Sequence, residues 1–330
     1  MKRPQRGKDS SGVVTLGGHK MFIKRLPLTT QELKKTYSTH NHHRLPHFFS
    51  YGIGSLGFGA WREVAAATKA SNWVLDGTCP NFPMLYHHRI LKLRGRTAQV
   101  SERNLTGYVE YWNNNPSVGQ FTRDRANATH EVILLQEYIP FTLRSWFADN
   151  LDQASSVFSQ LKVITDFLQS NGVVHFDCHH YNVLTDGERC YLTDFGLAMD
   201  EAFELTIPER KFLELNADCD WGTFVSRSVE YLADRYHASS KKQQSLVIAA
   251  TAANEPDNKL KLEMLLLKNL EYLAGPLDLP AAYVKQMLEH RDVSLLMAEF
   301  YRKLIIRKTT RLDHKRLKQL VSRKVSAGRR

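Results

Sequence analysis

The sequence predicts an α+β protein in two lobes, because strand-like segments dominate its first part and helix-like segments its second. Short apolar or alternating runs of strand length occur at residues 12–26, 87–95, 106–112 and 130–138. In the second part, residues 155–172 repeat apolar side chains at helical spacing and end in an Asn-Gly stop signal. Most of the chain after residue 195 is also helical in character. We expect the boundary between the lobes in or near residues 138–142.

The elements of the first part follow in order. Residues 12–26 predict two strands joined at Gly17-Gly18, because a glycine pair tolerates positive φ in a tight turn. A polar, His-rich stretch from residue 30 predicts a short helix that runs into a loop. Residues 60–74 are rich in alanine and apolar on one face, which predicts a second helix. We predict an exposed loop for the polar residues 112–129.

Composition narrows the class of protein. The 330 residues are 42% hydrophobic and 24% charged, which is typical of a globular chain. The basic N-terminal residues lead into no apolar stretch, and the longest apolar run is too short to cross a bilayer, so we expect neither a secretory signal nor a transmembrane segment. Four cysteines without C-x-x-C spacing fit a reduced environment, and we predict a cytoplasmic location.

The net charge of +11 is concentrated at the C-terminus. Residues 302–330 contain twelve Lys or Arg and one acid, Asp313, so the rest of the chain is close to neutral. The spacing of the apolar residues predicts an amphipathic helix with a cationic face. This helix either docks on the body of the protein or contacts an anionic partner, such as nucleic acid, anionic lipid or an acidic protein. No aromatic residue follows Tyr301, which disfavours stacking on single-stranded nucleic acid.

The strongest chemical signal lies at residues 173–198. His175, Asp177 and Asn182 form an H-x-D-x-x-x-x-N pattern, and a D-F-G tripeptide begins at Asp194. Between them the sequence predicts short strands and a hairpin that turns at Asp186-Gly187. Phosphoryl transfer uses such a set: one carboxylate orients the attacking hydroxyl, while an amide oxygen and a second carboxylate hold Mg²⁺.

These motifs resemble the catalytic loop and the metal-binding D-F-G of the protein-kinase-like superfamily. D-F-G followed by Leu197-Ala198 is similar to eukaryotic-type Ser/Thr protein kinases. His179, two residues after the aspartate, differs from the lysine usual in those kinases, and H-x-D-x-H-x-x-N is similar to aminoglycoside and choline phosphotransferases. The chain therefore looks like an atypical, bacterial-type member between these groups.

The resemblance implies a role for each residue of the motif. Asp177 would be the catalytic base or position the hydroxyl, and His175 would brace the loop. Asn182 and Asp194 would ligate Mg²⁺. His179 would either approach the γ-phosphate in place of the lysine or pack within the loop, and the sequence leaves both alternatives open.

The resemblance extends to the first lobe. Lys24, at the end of an apolar strand, would hold the α- and β-phosphates of ATP, and Glu63 in the helix at residues 60–74 would hold that lysine. The backbone near Gln136 and Tyr138 would bind adenine. Residues 207–209, Ile-Pro-Glu, are similar to the A-P-E that ends an activation segment.

The implied architecture is a bilobal protein-kinase-like fold. A small antiparallel N-lobe with one helix would cover residues 1–138, a mostly helical C-lobe residues 139–301, and a basic helix or tail residues 302–330. The implied function is an ATP- and Mg²⁺-dependent phosphotransferase that acts on a hydroxyl, most readily a Ser or Thr of a protein. The alternatives are a kinase of small molecules, such as a sugar, a lipopolysaccharide core or an aminoglycoside, and a pseudokinase scaffold whose basic tail binds an anionic partner.

A glycine-rich stretch, GIGSLGFG at residues 52–59, complicates this interpretation. Its spacing is typical of a phosphate-binding loop, but it follows Lys24, whereas a kinase phosphate loop precedes the lysine. Residues 6–12 stand in the expected place instead. The glycines would either allow the Glu63 helix to move or form a phosphate contact at the N-terminus of that helix.

Overall fold

A computed structural model describes residues 11–93, 102–251 and 259–327, and it confirms an α+β protein in which a small antiparallel sheet is followed by helices. The strands are β1 Ser11–Leu16, β2 His19–Leu28, β3 Leu85–Lys92, β4 His130–Glu137, β5 Phe141–Thr142, β6 Val173–Val174, β7 Val183–Thr185, β8 Cys190–Leu192 and β9 Met199–Asp200. The helices are α1 Thr30–Lys34, α2 Ala60–Leu75, α3 Glu102–Tyr111, α4 Pro116–Ala126, α5 Leu143–Asp149, α6 Ala154–Ser170, α7 Ile207–Leu215, α8 Cys219–Arg227, α9 Glu230–Ala238, α10 Lys241–Thr251, α11 Lys259–Lys268, α12 Leu270–Leu273, α13 Ala281–Glu289, α14 Arg291–Ile306 and α15 His314–Ala327.

The chain divides into two compact units, each built from several segments. The first contains residues 1–140, 167–177 and 191–217, and the second contains residues 141–166, 178–190 and 218–330. Helix α6 and strand β8 therefore begin in the second unit and end in the first.

The sheet of the first unit has the strand order β1-β2-β4-β3, and each pair is antiparallel. Strands β1 and β2 meet at Gly17-Gly18, whose positive φ angles of 56° and 83° match the predicted turn. The central strand β4 buries Val132 and Leu134 completely, as alternation in a half-covered strand requires. Lys24 is opposite Leu134 in the register of β2 and β4, so the pairing of these two strands positions it.

Two predictions about residues 106–129 are wrong. The predicted strand at 106–112 lies in and just after α3, and the predicted loop at 112–129 contains α4. The side chain of Asn115 begins α4 by accepting the backbone N–H groups of Ser117 and Val118. Both helices contribute to one buried apolar cluster, whose members include Tyr108, Trp112, Val118 and Phe121. Burial of this cluster outweighs the polar composition of the segment.

Aromatic packing organises the second unit. Phe158 of α6 contacts the rings of Trp221, Phe224 and His290 at centroid distances of 5.1–6.1 Å. Helix α14 packs on α8, where the hydroxyls of Thr223 and Tyr301 lie 2.8 Å apart. No helix in the described ranges is both long enough and apolar enough to cross a bilayer.

Candidate active site

Strand β2, helix α2 and the turn after β8 bring three charged residues of the first unit together. The ammonium of Lys24 forms an ion pair with the carboxylate of Glu63 and a second with Oδ1 of Asp194, at 2.8 Å. The side chains of Lys24 and Glu63 are 8% and 7% exposed, whereas that of Asp194 is 41% exposed. Burial alone would lower the pKa of Lys24, but the carboxylates of Asp194 and Glu63 outweigh it and raise that pKa. The lysine is therefore a fixed cation beside a partly open carboxylate.

Asp194 stands on an unusual backbone. Its φ of 65° lies in the left-handed region, which a non-glycine residue seldom adopts outside turns and functional sites. Its Oδ1 also accepts the N–H of Gly196 at 3.4 Å, so the side chain closes the turn that it begins. The next residue, Phe195, is buried against the rings of His175 and Phe82. The aromatic anchor and the turn together aim the carboxylate toward Lys24.

His175 connects the segment that contains Asp177 to the segment that contains Asp194. It is fully buried, and its Nε2 lies 3.0 Å from the backbone carbonyl of Thr193, to which it must donate. Its Nδ1 accepts the N–H of Asp177 at 3.3 Å. These two bonds select the neutral Nε2–H tautomer. One imidazole thus links the backbone at Asp177 to the residue just before Asp194.

The glycine stretch at residues 52–59 packs against Asp177 and against the D-F-G turn that begins at Asp194. A Cβ on Gly52 would meet Oδ1 of Asp177 at 3.2 Å, and a Cβ on Gly57 would meet the carbonyl oxygen of Gly196 at 2.6 Å. Phe58 donates its N–H to that same carbonyl at 3.2 Å. Residues 52–58 therefore run from Asp177 to the D-F-G turn. The absence of side chains on Gly52 and Gly57 is what permits this close approach.

A carboxylate occupies the N-terminus of α2. Oε1 of Glu32 accepts the N–H of Ala60 at 2.7 Å, and the indole of Trp61 donates to the carbonyl of Glu32 at 2.8 Å. A Cβ on Gly59 would meet the same Oε1 at 2.5 Å. A carboxylate at this end of the helix repels a second anion, which argues against the phosphate contact considered for the N-terminus of α2. The bond from Phe58 to Gly196 equally argues against a freely moving connection.

Arg62, which sequence reasoning did not single out, connects α2 to the segment after D-F-G. Its side chain is 2% exposed, and Nη2 lies 2.8 Å from Oε1 of Glu209, itself 3% exposed. Nε donates to the carbonyl of Thr39 at 2.7 Å. Burial alone would raise the pKa of Glu209. The charge of Arg62 and the hydrogen bonds from Thr206 outweigh burial, so the pKa of Glu209 is lowered. The Ile-Pro-Glu tripeptide starts α7, with Thr206 as N-cap in a capping box.

The residues expected to bind adenine lie at the end of β4. Gln136 is 6% exposed and pairs in register with Phe22 and Leu85. Tyr138 follows the strand, and the ammonium of Lys20 lies 5.4 Å from the centre of its ring.

The remaining predicted site residues belong to the second unit. Asn182 is 9% exposed and donates its N–H to the carbonyl of His179 at 2.8 Å. Nδ1 of His179 accepts the N–H of Tyr181 at 3.3 Å, and both alternatives for the role of His179 stay predictions. The neighbouring His180, which is not one of the predicted site residues, is 2% exposed beside the Ser228 hydroxyl, and burial holds its pKa well below the usual value.

Replacing Gly57 by Ala tests the close approach to Gly196. Gly57 and Gly18 share a φ of +83°, but a Cβ on Gly18 would meet no atom within 4 Å. Gly18→Ala should therefore cost only the backbone strain, about 1–2 kcal/mol, and Gly57→Ala should cost about 1–3 kcal/mol more because of overpacking. Urea unfolding of the two variants measures the difference. Equal losses would contradict the packing of residues 52–58 on the D-F-G turn.

Comparison with known proteins adds no assignment. Within the described residues, no group of three or more His, Cys, Asp or Glu side chains is arranged to hold a metal ion. No protein-family model matches the chain, and no curated protein matches its sequence significantly.

Proposed function

We propose that the chain is an ATP- and Mg²⁺-dependent phosphotransferase that transfers the γ-phosphate to a hydroxyl group. The observation that carries the proposal is the buried cation of Lys24, held by Glu63 and in contact with the partly exposed carboxylate of Asp194. A lysine with a raised pKa stays charged and suits the α- and β-phosphates of ATP. On this proposal the chain has a bilobal protein-kinase-like fold.

The donor chemistry fits Mg²⁺. Magnesium prefers oxygen ligands, and proteins usually hold it with one or two carboxylates together with substrate phosphates, rather than in an all-protein cage. Asp194 offers a carboxylate, and the resemblance described above implies that Asn182 would offer an amide oxygen. Bound Mg²⁺ would neutralise charge on the phosphates.

The other proposed roles fall to residues of the chain itself. Asp177 would orient the acceptor hydroxyl and accept its proton, while His175 fixes the backbone of that aspartate through Nδ1. Lys24 would position the phosphates, and Glu63 would keep the lysine in place. The backbone between Gln136 and Tyr138 would contact adenine. These assignments rest on the resemblance described above and on the geometry of Lys24, Glu63 and Asp194.

The acceptor we propose is a Ser or Thr hydroxyl of a protein, because of the D-F-G-L-A sequence and the Ile-Pro-Glu that begins α7. The H-x-D-x-H-x-x-N pattern keeps a small-molecule hydroxyl as the alternative. Transfer of label from ATP to a mixture of protein substrates, against a mixture of sugars and aminoglycosides, separates the two.

Asp177→Asn tests the reaction itself. The purified protein should show a higher melting temperature with Mg²⁺-ATP, and it should transfer radiolabelled phosphate to itself or to a protein acceptor. Asp177→Asn keeps the shape of the side chain but removes the base, so transfer should fall about 10²–10⁴-fold while the melting shift remains. Asp152→Asn, an exposed acid in the second unit, is the matched control.

Two results would count against the proposal. If Asp177→Asn transferred label at the wild-type rate, Asp177 would not be the base. If neither ATP nor ADP shifted the melting temperature, the chain would not be a nucleotide-dependent enzyme or a nucleotide-binding pseudokinase.

A further inference from the structure

A cationic cavity lies in the second unit at the turn between α14 and α15. Its volume is about 680 Å³. The polar side chains that line it are Arg302, Lys303, Arg307, Thr309, Thr310 and Arg311. Ile306 supplies an apolar side chain to the same cavity. We call this lining, together with the exposed cations Lys315, Arg316 and Lys318 of α15, the tail surface.

The apolar residues of the tail are already buried. Leu304, Leu312, Leu317 and Leu320 are 1–8% exposed. The Cδ1 of Leu317 lies 3.3 Å from the place that a Cβ on Gly222 would occupy, so α15 packs directly on α8. Docking on the body, one of the two alternatives for this segment, is therefore present. It buries Lys308, which is 2% exposed, but it leaves other cations exposed, namely Lys303, Arg307, Arg311, Lys315, Arg316 and Lys318.

The carboxylates near the tail surface neutralise only part of it. Glu299 pairs with Arg302 and Lys303, and these cations hold the pKa of Glu299 near 2. Asp313 accepts the backbone N–H of Arg316 at 3.0 Å. In the described part of the chain, no carboxylate lies within ion-pair distance of Arg307 or Arg311. The Nε of Arg307 is held by the Thr309 hydroxyl at 3.0 Å, which orients its guanidinium.

Helix stability accounts for Lys303 but not for the other cations of the tail surface. Lys303 lies in the last turn of α14, where a positive charge favours the helix dipole. Arg311 lies outside both helices. Lys315 and Arg316 lie in the first turn of α15, where the positive end of the dipole disfavours them. An excess of cations at positions that cost local stability points to an external anion.

The exposed aliphatic residues beside the cavity indicate the kind of anion. Ile305 is 45% exposed and Ile306 is 78% exposed. Arg pairs and threonine hydroxyls suit phosphate groups, and aliphatic side chains next to them suit the boundary between headgroups and acyl chains. Stacking of nucleic acid bases would need aromatic side chains, and none follows Tyr301. We infer that the tail surface docks on an anionic lipid surface, with a headgroup phosphate in the cavity.

Vesicle binding tests this inference. Phosphatidylcholine vesicles with phosphatidylserine should sediment the full-length protein, and pure phosphatidylcholine vesicles should not. Each Lys or Arg near an anionic surface contributes about 1 kcal/mol, so Arg307→Ala with Arg311→Ala should weaken binding about 30-fold. Ile306→Ser should weaken it about fivefold through the lost apolar contact. Raised salt should release the protein.

Arg210→Ala with Lys211→Ala removes two exposed cations of α7 and is the matched control, which should bind like the wild type. Equal melting temperatures of the variants show that they fold. If Arg307→Ala with Arg311→Ala does not fold, Arg307→Gln with Arg311→Gln takes its place. Binding to pure phosphatidylcholine, unchanged binding by both double variants of the cavity, or binding to duplex DNA but not to vesicles would each overturn the inference. None of these results depends on phosphoryl transfer.

Discussion

Lys24→Met is expected to suppress the proposed phosphoryl transfer strongly and to destabilise the first unit. The variant removes the cation that contacts both Glu63 and Asp194. Removing one partner of a buried ion pair costs about 3–5 kcal/mol, because the other charge stays buried without it. On the proposed function Lys24 holds the α- and β-phosphates of ATP, and loss of its positive charge should lower the rate of transfer at least about 10²-fold.

The two effects can be separated with a second substitution. Glu63→Gln in the Lys24→Met background removes the buried negative charge, so it should recover much of the lost free energy of unfolding. It should recover none of the transfer. A purely structural lysine predicts the opposite, namely that activity returns together with stability.

Arg25→Met is the matched control for Lys24→Met. Arg25 is the next residue of β2, and it also pairs with a buried carboxylate, that of Glu131. This variant should lose stability but keep transfer at the rate expected for its folded fraction. If Arg25→Met lost as much activity as Lys24→Met, general damage to β2 would explain both results. Urea unfolding and label transfer, measured on the same preparations, decide the question.

The sequence singles out Lys24, Glu63 and Asp194 by their resemblance to kinase motifs, and the structure brings these three side chains together. Their proposed chemical roles stay predictions, and the residues that hold them in place have no such motif. The contacts of Glu32 and Arg62 join residues 28 and 147 positions apart in the chain. No local pattern signals such pairs, so only the folded chain shows them.

Helix α3 was missed although its signal was present. Leu105, Tyr108 and Trp112 recur at helical spacing and are all 2–3% exposed. The β-type residues of TGYVEYW favoured a strand by propensity, and burial in the cluster with α4 overrode that propensity.

The glycine stretch shows a different limit. The glycines follow Lys24, which argues against a standard phosphate loop. This order can be read from the sequence alone. The contact of the stretch with Asp177 and Gly196 depends on positive φ angles at residues 52 and 57, which sequence can suggest but not place. Residues 6–12 stand where a kinase phosphate loop is expected, and residues 6–10 of this stretch lie outside the described residues. The predicted boundaries at residues 138 and 301 stay predictions.

Arg62→Met is expected to have the second largest effect, because it leaves the carboxylate of Glu209 buried without its cation. The cost should be about 3–5 kcal/mol of unfolding free energy. Glu209→Gln should cost less, because the amide oxygen of glutamine can still accept a hydrogen bond from the buried Arg62 and glutamine still serves the capping box with Thr206. The double variant Arg62→Met, Glu209→Gln should be more stable than Arg62→Met alone.

The ion pair of Arg62 and Glu209 also determines in which direction the free energy of unfolding changes with pH. The folded-state pKa of Glu209 is lowered, so its contribution is fully present above the unfolded value of about 4.3 and is lost as the pH falls through the lower, folded value. The wild type should lose this part of its stability on acidification, and Glu209→Gln should not. Urea unfolding measured between neutral and acidic pH gives both slopes.

Arg62 immediately precedes Glu63 in α2, so its loss should also affect the proposed ATP site. Once Arg62 no longer fixes α2 to residues 206–209, Glu63 should hold Lys24 less well, and the Michaelis constant for ATP should rise. Lys69→Met removes another ion pair of α2, that with Asp200, seven residues further along the helix. This control should lower stability and leave the Michaelis constant unchanged. If both variants raised it equally, Arg62 would stabilise the fold without positioning Glu63.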